Sequence, residues 1–311
     1  MKTYKNAKLY TNSKRSVVTI GTFDGVHIGH RKIIERLLRI AKNDELSPVL
    51  LTFFPHPRMV LQKDSGLKLI HTIEERKQIL ETTGLPHLVI HPFDKEFANL
   101  SAEDYVRDLL CKQLDAQKIV IGYDHHFGKA RSANIIDLKA YSKQLDFEVE
   151  EISKQEIESI AVSSTKIRKA LLAGEIKKAN NYLGYPFILT GTVIHGKQLG
   201  RTIGFPTANL HIKEDYKLIP KSGVYLSKAI INGETYFGMT NIGSRPTIED
   251  QDTISVETYF FELEKDLYDT KLQIQLLDRI RDEQKFESIT ALQQAIEKDK
   301  ETAIKLLNYR K

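Results

Sequence analysis

Cysteine is nearly absent: Cys111 is the single one in 311 residues. An internal disulfide is therefore excluded, and a reducing compartment, the cytoplasm, is the expected location. No apolar run approaches the ~20 residues that a membrane helix needs. The first fourteen residues are polar and contain no apolar signal core. Neither a membrane nor secretion is expected. Linker tracts, internal repeats and low-complexity segments are lacking as well. So is a strong excess of one charge. The formal net charge is +5, and residues 1–185 carry 29 Lys and Arg against 23 Asp and Glu. Residues 186–311 carry 17 against 18. Nucleic-acid binders usually concentrate a basic stripe on one domain. An excess this dilute points instead to small anionic ligands, and no nucleic-acid partner is expected.

The length implies two domains, each large enough to bury a core. Through residue 183 strand-like and helix-like segments alternate. Val17–Ile20, Pro48–Phe54, His87–Ile90, Lys118–Ile121 and Phe147–Ile152 read as strands. Between them lie helical patterns, among them one opened by the capping box Thr72-Ile73-Glu74-Glu75 and one opened by Ser101. That alternation predicts a parallel sheet covered by helices. After Gly184-Tyr185-Pro186 short strand-like runs follow one another without helices: Phe187–Val193, Gly223–Ile231, Glu234–Thr240, Ile254–Phe261 and Lys271–Leu277. They predict a small closed barrel, with Asn232-Gly233 as a hairpin turn. A last helix, capped by Thr290, carries Leu292, Ile296, Ala303 and Leu307 on one side. The domain boundary is placed near residue 185.

The most informative stretch is Gly21 to His30, GTFDGVHIGH, between the first strand and the following helix. Ligands of α/β sheets bind at such carboxyl-end turns. Gly21, Gly25 and Gly29 allow close backbone approach, and the helix N-terminus suits phosphate. His27 and His30, three apart, point to one place, where imidazoles can stabilise charge building on phosphorus. Neither a dinucleotide-binding glycine fingerprint nor a P-loop occurs here. The stretch resembles the signature of the nucleotidyltransferases.

Three further loops follow strands or open a helix. Thr52–Arg58, with two prolines, fixes the directions of Phe54, His56 and Arg58 for stacking on a planar ligand and holding phosphate. Gly122–Lys129 offers Asp124 to a ribose or a flavin, while the adjacent His125 and His126 lack a zinc-like spacing. Ser163-Ser164-Thr165-Lys166-Ile167-Arg168 opens a short helix, with hydroxyls, free N–H groups and cations suited to a triphosphate. In the second half, Gly191–Leu210 is read as a glycine-rich flap able to bring its backbone to phosphates. In it Thr207 and Asn209 offer hard oxygen ligands to Mg²⁺. Glu257 sits in an apolar strand run, where a carboxylate needs a role or a partner.

Taken together, the motifs at Gly21–His30, Thr52–Pro57, Gly122–Gly128, Ser163–Arg168 and Gly196–Asn209 resemble those of the bacterial bifunctional riboflavin kinase/FMN adenylyltransferase (FAD synthetase) family. The resemblance spans about residues 15 to 305. It implies an α/β nucleotidyltransferase domain over 1–185, Rossmann-like with a parallel sheet. A β-barrel riboflavin kinase domain with a C-terminal helix would cover 186–311. The kinase would make FMN from riboflavin and ATP, and the other domain would join FMN to the adenylyl group of ATP, giving FAD and pyrophosphate. In the first domain Gly21, Phe23, Gly25, His27, His30, Ser164, Thr165 and Arg168 would bind ATP, with Phe54, His56, Pro57, Arg58 and Asp124 on the flavin. In the second, Gly196, Lys197, Gly200, Gly204, Thr207 and Asn209 would hold Mg²⁺-ATP. Asn241, Arg245 and Arg281 would hold the flavin, and Glu257 would be the base. The chain is expected to be a monomer or a weak homo-oligomer. It departs from the family pattern at Thr22, His125, Tyr259 and Asp269.

Overall fold

The computed structural model describes residues 1–311 except 63–65, 124, 154, 157–161, 197–198, 246–252 and 309–311, and leaves aside the side chains of Leu199, Ser244, Arg245 and Thr253. The contacts divide the chain into two compact units, Met1–Ser164 and Thr165–Lys311. The first is built on a six-stranded sheet: β1 (Lys2–Tyr4), β2 (Ser16–Ile20), β3 (Ser47–Phe54), β4 (His87–Pro92), β5 (Ala116–Gly122) and β6 (Glu148–Ile152). Its order is β1-β4-β3-β2-β5-β6, and every pairing is parallel. Central β2 is buried along its whole length, as a strand covered on both faces must be. The Ile28–Asn43 helix packs on β2 and β3 through Ile34, Leu37 and Ala41.

The expected parallel sheet is present, with one strand more than the five read from the pattern. β1 is three residues long and too short to show a period. It is held by pairing with β4 and by burial of Tyr4 edge-on against Tyr10. Thr72 and Glu75 form the expected capping box of the Ile73–Glu81 helix. Ser101 caps its segment as expected, but Tyr105–Gln113 continues as a π-helix that buries Tyr105, Val106, Leu109 and Leu110.

The second unit contains the Ser164–Ala173 helix from its second residue on, the Ile176–Leu183 helix, a closed barrel and the Ile289–Asn308 helix. The first two helices precede the boundary expected near residue 185. The barrel strands are β7 (Phe187–Ile194), β8 (Ala208–His211), β9 (Gly223–Ile231), β10 (Glu234–Arg245), β11 (Thr253–Phe260) and β12 (Lys271–Asp282), in the order β10-β11-β8-β7-β12-β9. Asn232 and Gly233 both have positive φ, 52° and 86°, as the tight hairpin turn requires. Asp269, where the family pattern has glycine, also takes positive φ, 59°, a region aspartate tolerates better than most residues.

Two elements escaped the pattern reading. β8, four residues inside the stretch read as a flap, is fixed by pairing with β7 and β11 on its two sides. The Ile176–Leu183 helix is pinned to the barrel by Asn180. Its Nδ2 donates to Leu276 O (2.9 Å) and its Oδ1 accepts from Phe187 N (2.7 Å). The last helix starts at Ile289, and its cap is Ser288 rather than Thr290: Ser288 Oγ accepts from Ala291 N. Ala303 of that helix is fully buried in a core with Val224, Leu226, Met239 and Leu277.

Candidate active sites

In the α/β unit the chain runs from β2 outward to β3 and β4 on one side and then to β5 and β6 on the other. The topological switch therefore lies at the carboxyl ends of β2 and β5, where open α/β sheets form their ligand crevice. The Gly21–His27 turn leaves β2 at that point. Its backbone is strained: Phe23 (φ 46°) and Val26 (φ 34°) take positive φ although neither is glycine, and both are buried.

A buried network holds this turn. Asp24, fully buried, accepts from Ile70 N (3.0 Å) and His71 N (3.2 Å). Arg76, 1% exposed, lies 3.7 Å from the Asp24 carboxylate and donates through Nη1 to Thr22 O (2.8 Å). Thr52 Oγ1, near the end of β3, donates to the same carbonyl (3.2 Å). Ser164 Oγ donates to Asp24 O (2.8 Å). Ser164 thus reaches the turn, whereas Thr165 and Arg168 lie further along the helix that Ser164 begins. The Asp24–Arg76 pair escaped sequence reasoning, because nothing in a helical Arg at position 76 distinguishes it from a solvated cation.

His27 and His30 are brought together. His27 precedes the Ile28–Asn43 helix, and its Nδ1 accepts from His30 N (3.3 Å). The two rings stack with centroids 3.7 Å apart and 16° between planes, and Phe23 packs 4.9 Å from His30. Burial pushes the His27 imidazole down to about 4, against the opposing pull of Asp24. His30 lies well below the ordinary histidine value, through burial first and then the nearby His27 and Arg76. Both are neutral near pH 7 in the free protein.

The loop after β3 begins with a cis Phe54–Pro55 bond. His56, buried, caps the short Pro57–Leu61 helix by accepting from Arg58 N (3.1 Å), with Pro57 at the first turn where its missing N–H costs nothing. The loop after β5 is braced from inside. Tyr105 of the π-helix stacks on Phe127, and Phe127 on His125. Asp124 falls outside the described residues, as does Lys197; so does the Arg245 side chain.

In the barrel, Asn209, Glu257 and Asn241 are direct partners across β8, β11 and β10, so their side chains share one face. A pocket of about 250 Å³ opens beside this row, lined by Gly200, Thr207, Asn241, Glu257 and Arg281 among the expected residues. Tyr259, Phe286, Leu292 and Ile296 supply its apolar walls. A second pocket of about 380 Å³ is lined by Arg201, Thr207, Lys265 and Tyr268. Thr207 belongs to both. Gly196 lies against Asn209, where any side chain would strike the amide, and Gly200 lies equally close to Phe205 O. These glycines serve close packing, a correction to reading the whole stretch as a flexible flap.

Arg281 is gripped by Asp299 of the last helix. Its Nε donates to both carboxylate oxygens (2.9 and 3.0 Å), its Nη2 lies 2.8 Å from Oδ2, and Asp299 is 5% exposed. The sequence placed the apolar side of this helix but missed Asp299; an acidic residue one turn beyond Ile296 on that same side was the available signal.

A strained, phosphate-suited turn at the switch point of a parallel sheet, joined in one chain to a barrel with two adjoining pockets, defines a two-domain nucleotide-dependent transferase. The sequence model of the FAD synthetase family matches residues 9–166, and that of riboflavin kinase matches residues 183–307. The bifunctional riboflavin kinase/FMN adenylyltransferase of Listeria monocytogenes is 38% identical, over 92% of this chain and 90% of its own. That of Bacillus subtilis is 38% identical, over 94% and 92%. A crystal structure described as a macrolide-efflux protein from Streptococcus pneumoniae superposes with a TM-score of 0.87 at 34% identity, covering 97% of this chain and 98% of that one. The chain belongs to the bifunctional riboflavin kinase/FMN adenylyltransferase family. No helix among the described residues is long and apolar enough to cross a membrane.

Proposed function

We propose that the barrel phosphorylates riboflavin to FMN and that the α/β unit converts FMN to FAD. The observation that carries the kinase reading is the position of Thr207 in the wall between two pockets, one of which holds Glu257. The apolar pocket suits the flavin and the more polar one the nucleotide. Glu257 takes the proton from the ribityl 5′-hydroxyl as its oxygen attacks the γ-phosphorus of ATP; the bond to the β-bridging oxygen breaks, and ADP leaves. Thr207 and Asn209 fit a hard divalent cation. One supplies a hydroxyl at the junction, the other an amide oxygen next to Glu257 in register, with Gly196 leaving room for it. Mg²⁺ there would neutralise charge on the transferred phosphoryl group. Gly200, Gly204 and Lys197 would border the phosphates, and Asn241, Arg245 and Arg281 the flavin.

In the α/β unit an FMN phosphate oxygen attacks the α-phosphorus of ATP, and the bond to the pyrophosphate oxygen breaks. The nucleophile is already anionic, so no general base is needed. Neutral His27 and His30 donate hydrogen bonds where negative charge accumulates, assisted by N–H groups of the helix start. Gly21, Phe23 and Gly25 shape the turn, and Ser164, bonded to Asp24 O, would meet the triphosphate. Phe54, His56, Pro57 and Arg58 would face the flavin, and Asp124 is expected to join them. With one cysteine in the chain, the cytoplasm is the natural setting.

Purified protein incubated with riboflavin and MgATP should form FMN first and FAD second. Release of ADP reports the first step and pyrophosphate the second. FAD formed only from supplied FMN would reduce the barrel to a binding module.

A further inference from the structure

The two histidines of the α/β unit are held in different ways. The His27 imidazole is fixed by a hydrogen bond. Its Nδ1 accepts from His30 N (3.3 Å), so the proton of the neutral ring sits on Nε2. The His30 imidazole lacks an equivalent. Its Nδ1 is buried and finds no hydrogen-bond partner among the described residues. An imidazole with no bond at its second nitrogen is aimed by packing alone. Rings do that packing: His27, stacked at 3.7 Å, and Phe23, at 4.9 Å with 51° between planes.

Phe23 is itself under constraint. It is 2% exposed and takes a φ of 46°. Its ring lies so close over Gly21 that a Cβ there would come within 3.0 Å of it. A non-glycine residue keeps such a backbone only where its surroundings over-determine it. They do so from both sides. On the preceding residue, Thr22 O accepts from Arg76 Nη1 (2.8 Å) and from Thr52 Oγ1 (3.2 Å), and both donor residues are buried. On the following residue, the Asp24 carboxylate accepts from Ile70 N and His71 N. Planar peptides leave Phe23 little freedom between those anchors. Thr52 belongs to β3 and Arg76 to the Ile73–Glu81 helix, so the Phe23 ring is placed by the body of the unit rather than by its own loop.

We propose that Phe23 is a positioning residue for adenylyl transfer, whose ring, set by the Arg76 and Thr52 bonds to Thr22 O, aims the His30 imidazole at the reacting phosphate. The chain of contacts runs from two buried donors to a carbonyl, from that peptide to a ring, and from the ring to the imidazole. It accounts for a phenylalanine at a position where glycine would carry no strain, since glycine there would leave the His30 ring to His27. This inference rests on the reading of His30 as a donor to the phosphate.

The test is a double-mutant cycle between Phe23→Leu and His30→Ala, read as pyrophosphate release from supplied FMN and MgATP. Leucine keeps an apolar side chain on the same backbone but offers no ring. Phe23→Leu alone should lower kcat about tenfold with the KM for FMN unchanged, the loss expected of a misaimed donor. In the His30→Ala background the same substitution should cost nothing further, because no imidazole is left to aim. A Phe23 that serves only the stability of the turn would cost the same factor in both backgrounds, and that result overturns the proposal. So does a Phe23→Leu protein that works at the parent rate. Should the melting transition show that Phe23→Leu does not fold, Thr52→Val takes its place in the cycle, removing one bond to Thr22 O while keeping the shape of the side chain. A loss of about threefold, absent in the His30→Ala background and absent in Thr52→Ser, supports the proposal; an equal loss in both backgrounds, or none, overturns it. A His30→Ala variant at the parent rate would remove His30 from the chemistry and the proposal with it. A parent that releases no pyrophosphate would instead refute the adenylyltransferase reading itself.

Discussion

The two units handle negative charge by opposite means. The α/β unit gathers eight of the ten histidines of the chain and keeps its central pair neutral by burial, next to a backbone turn held by a buried ion pair. Among its described residues, the barrel lines its pocket of about 250 Å³ with Glu257, Glu283 and Asp299, and Arg281 there is held by Asp299. The difference follows the nucleophile. A phosphate oxygen arrives ionised and needs only donors for the charge that develops. An alcohol arrives protonated and needs a base, which a carboxylate supplies. Neutral imidazoles suit the first task and Glu257 the second.

The contrast can be broken most sharply at Glu257. Glu257→Gln should lower ADP release by about 10²–10⁴-fold while pyrophosphate release from supplied FMN persists; equal loss of both would mean the base lies elsewhere. In the other unit, Arg76→Met should cost about 3–5 kcal/mol, since it leaves Asp24 as an uncompensated buried charge. Denaturant unfolding followed by a probe in the α/β unit measures this, and an unchanged midpoint would show that the pair is dispensable.

Acid should separate the units next. His27 has its folded value pushed down to about 4, so protonation favours the unfolded chain. Its contribution is fully present above about pH 6.5 and is lost as pH falls toward 4, amounting to about 3 kcal/mol. His91, also buried and also held near 4, acts in the same direction. Its Nδ1 accepts from Ala7 N, so protonation also frees the segment after β1. Calorimetry between pH 7 and 4.5 should show the α/β unit losing stability faster than the barrel. Smallest is His27→Ala, which should slow FAD formation by roughly a hundredfold, as loss of one charge-stabilising donor does, with FMN production intact. Full FAD synthesis in that variant would remove the imidazole from the site.

Much of this was legible in the chain. Strand and helix periods gave the parallel sheet and the barrel; Thr72 with Glu75, and Asn232 with Gly233, fixed a helix start and a hairpin because their chemistry is local. Spacing alone set His27 and His30 on one helical turn, where they stack. Other features depend on partners far along the chain. β1 and β8 are too short to carry a period and exist because neighbouring strands complete them. Asp24 and Arg76 are 52 residues apart and Arg281 and Asp299 are 18 apart, and nothing local in the chain shows that either pair meets.

By itself, then, the sequence determined the two architectures, the turn that carries the histidines and the strand that carries Glu257, since local periodicity, capping and turn chemistry act over a few residues. Only the tertiary structure decided which charges are buried against each other, that Thr207 lines two pockets, and that the last helix reaches the barrel pocket through Asp299, which holds Arg281. Those outcomes depend on desolvation and on contacts between distant segments, and neither exists until the chain has folded.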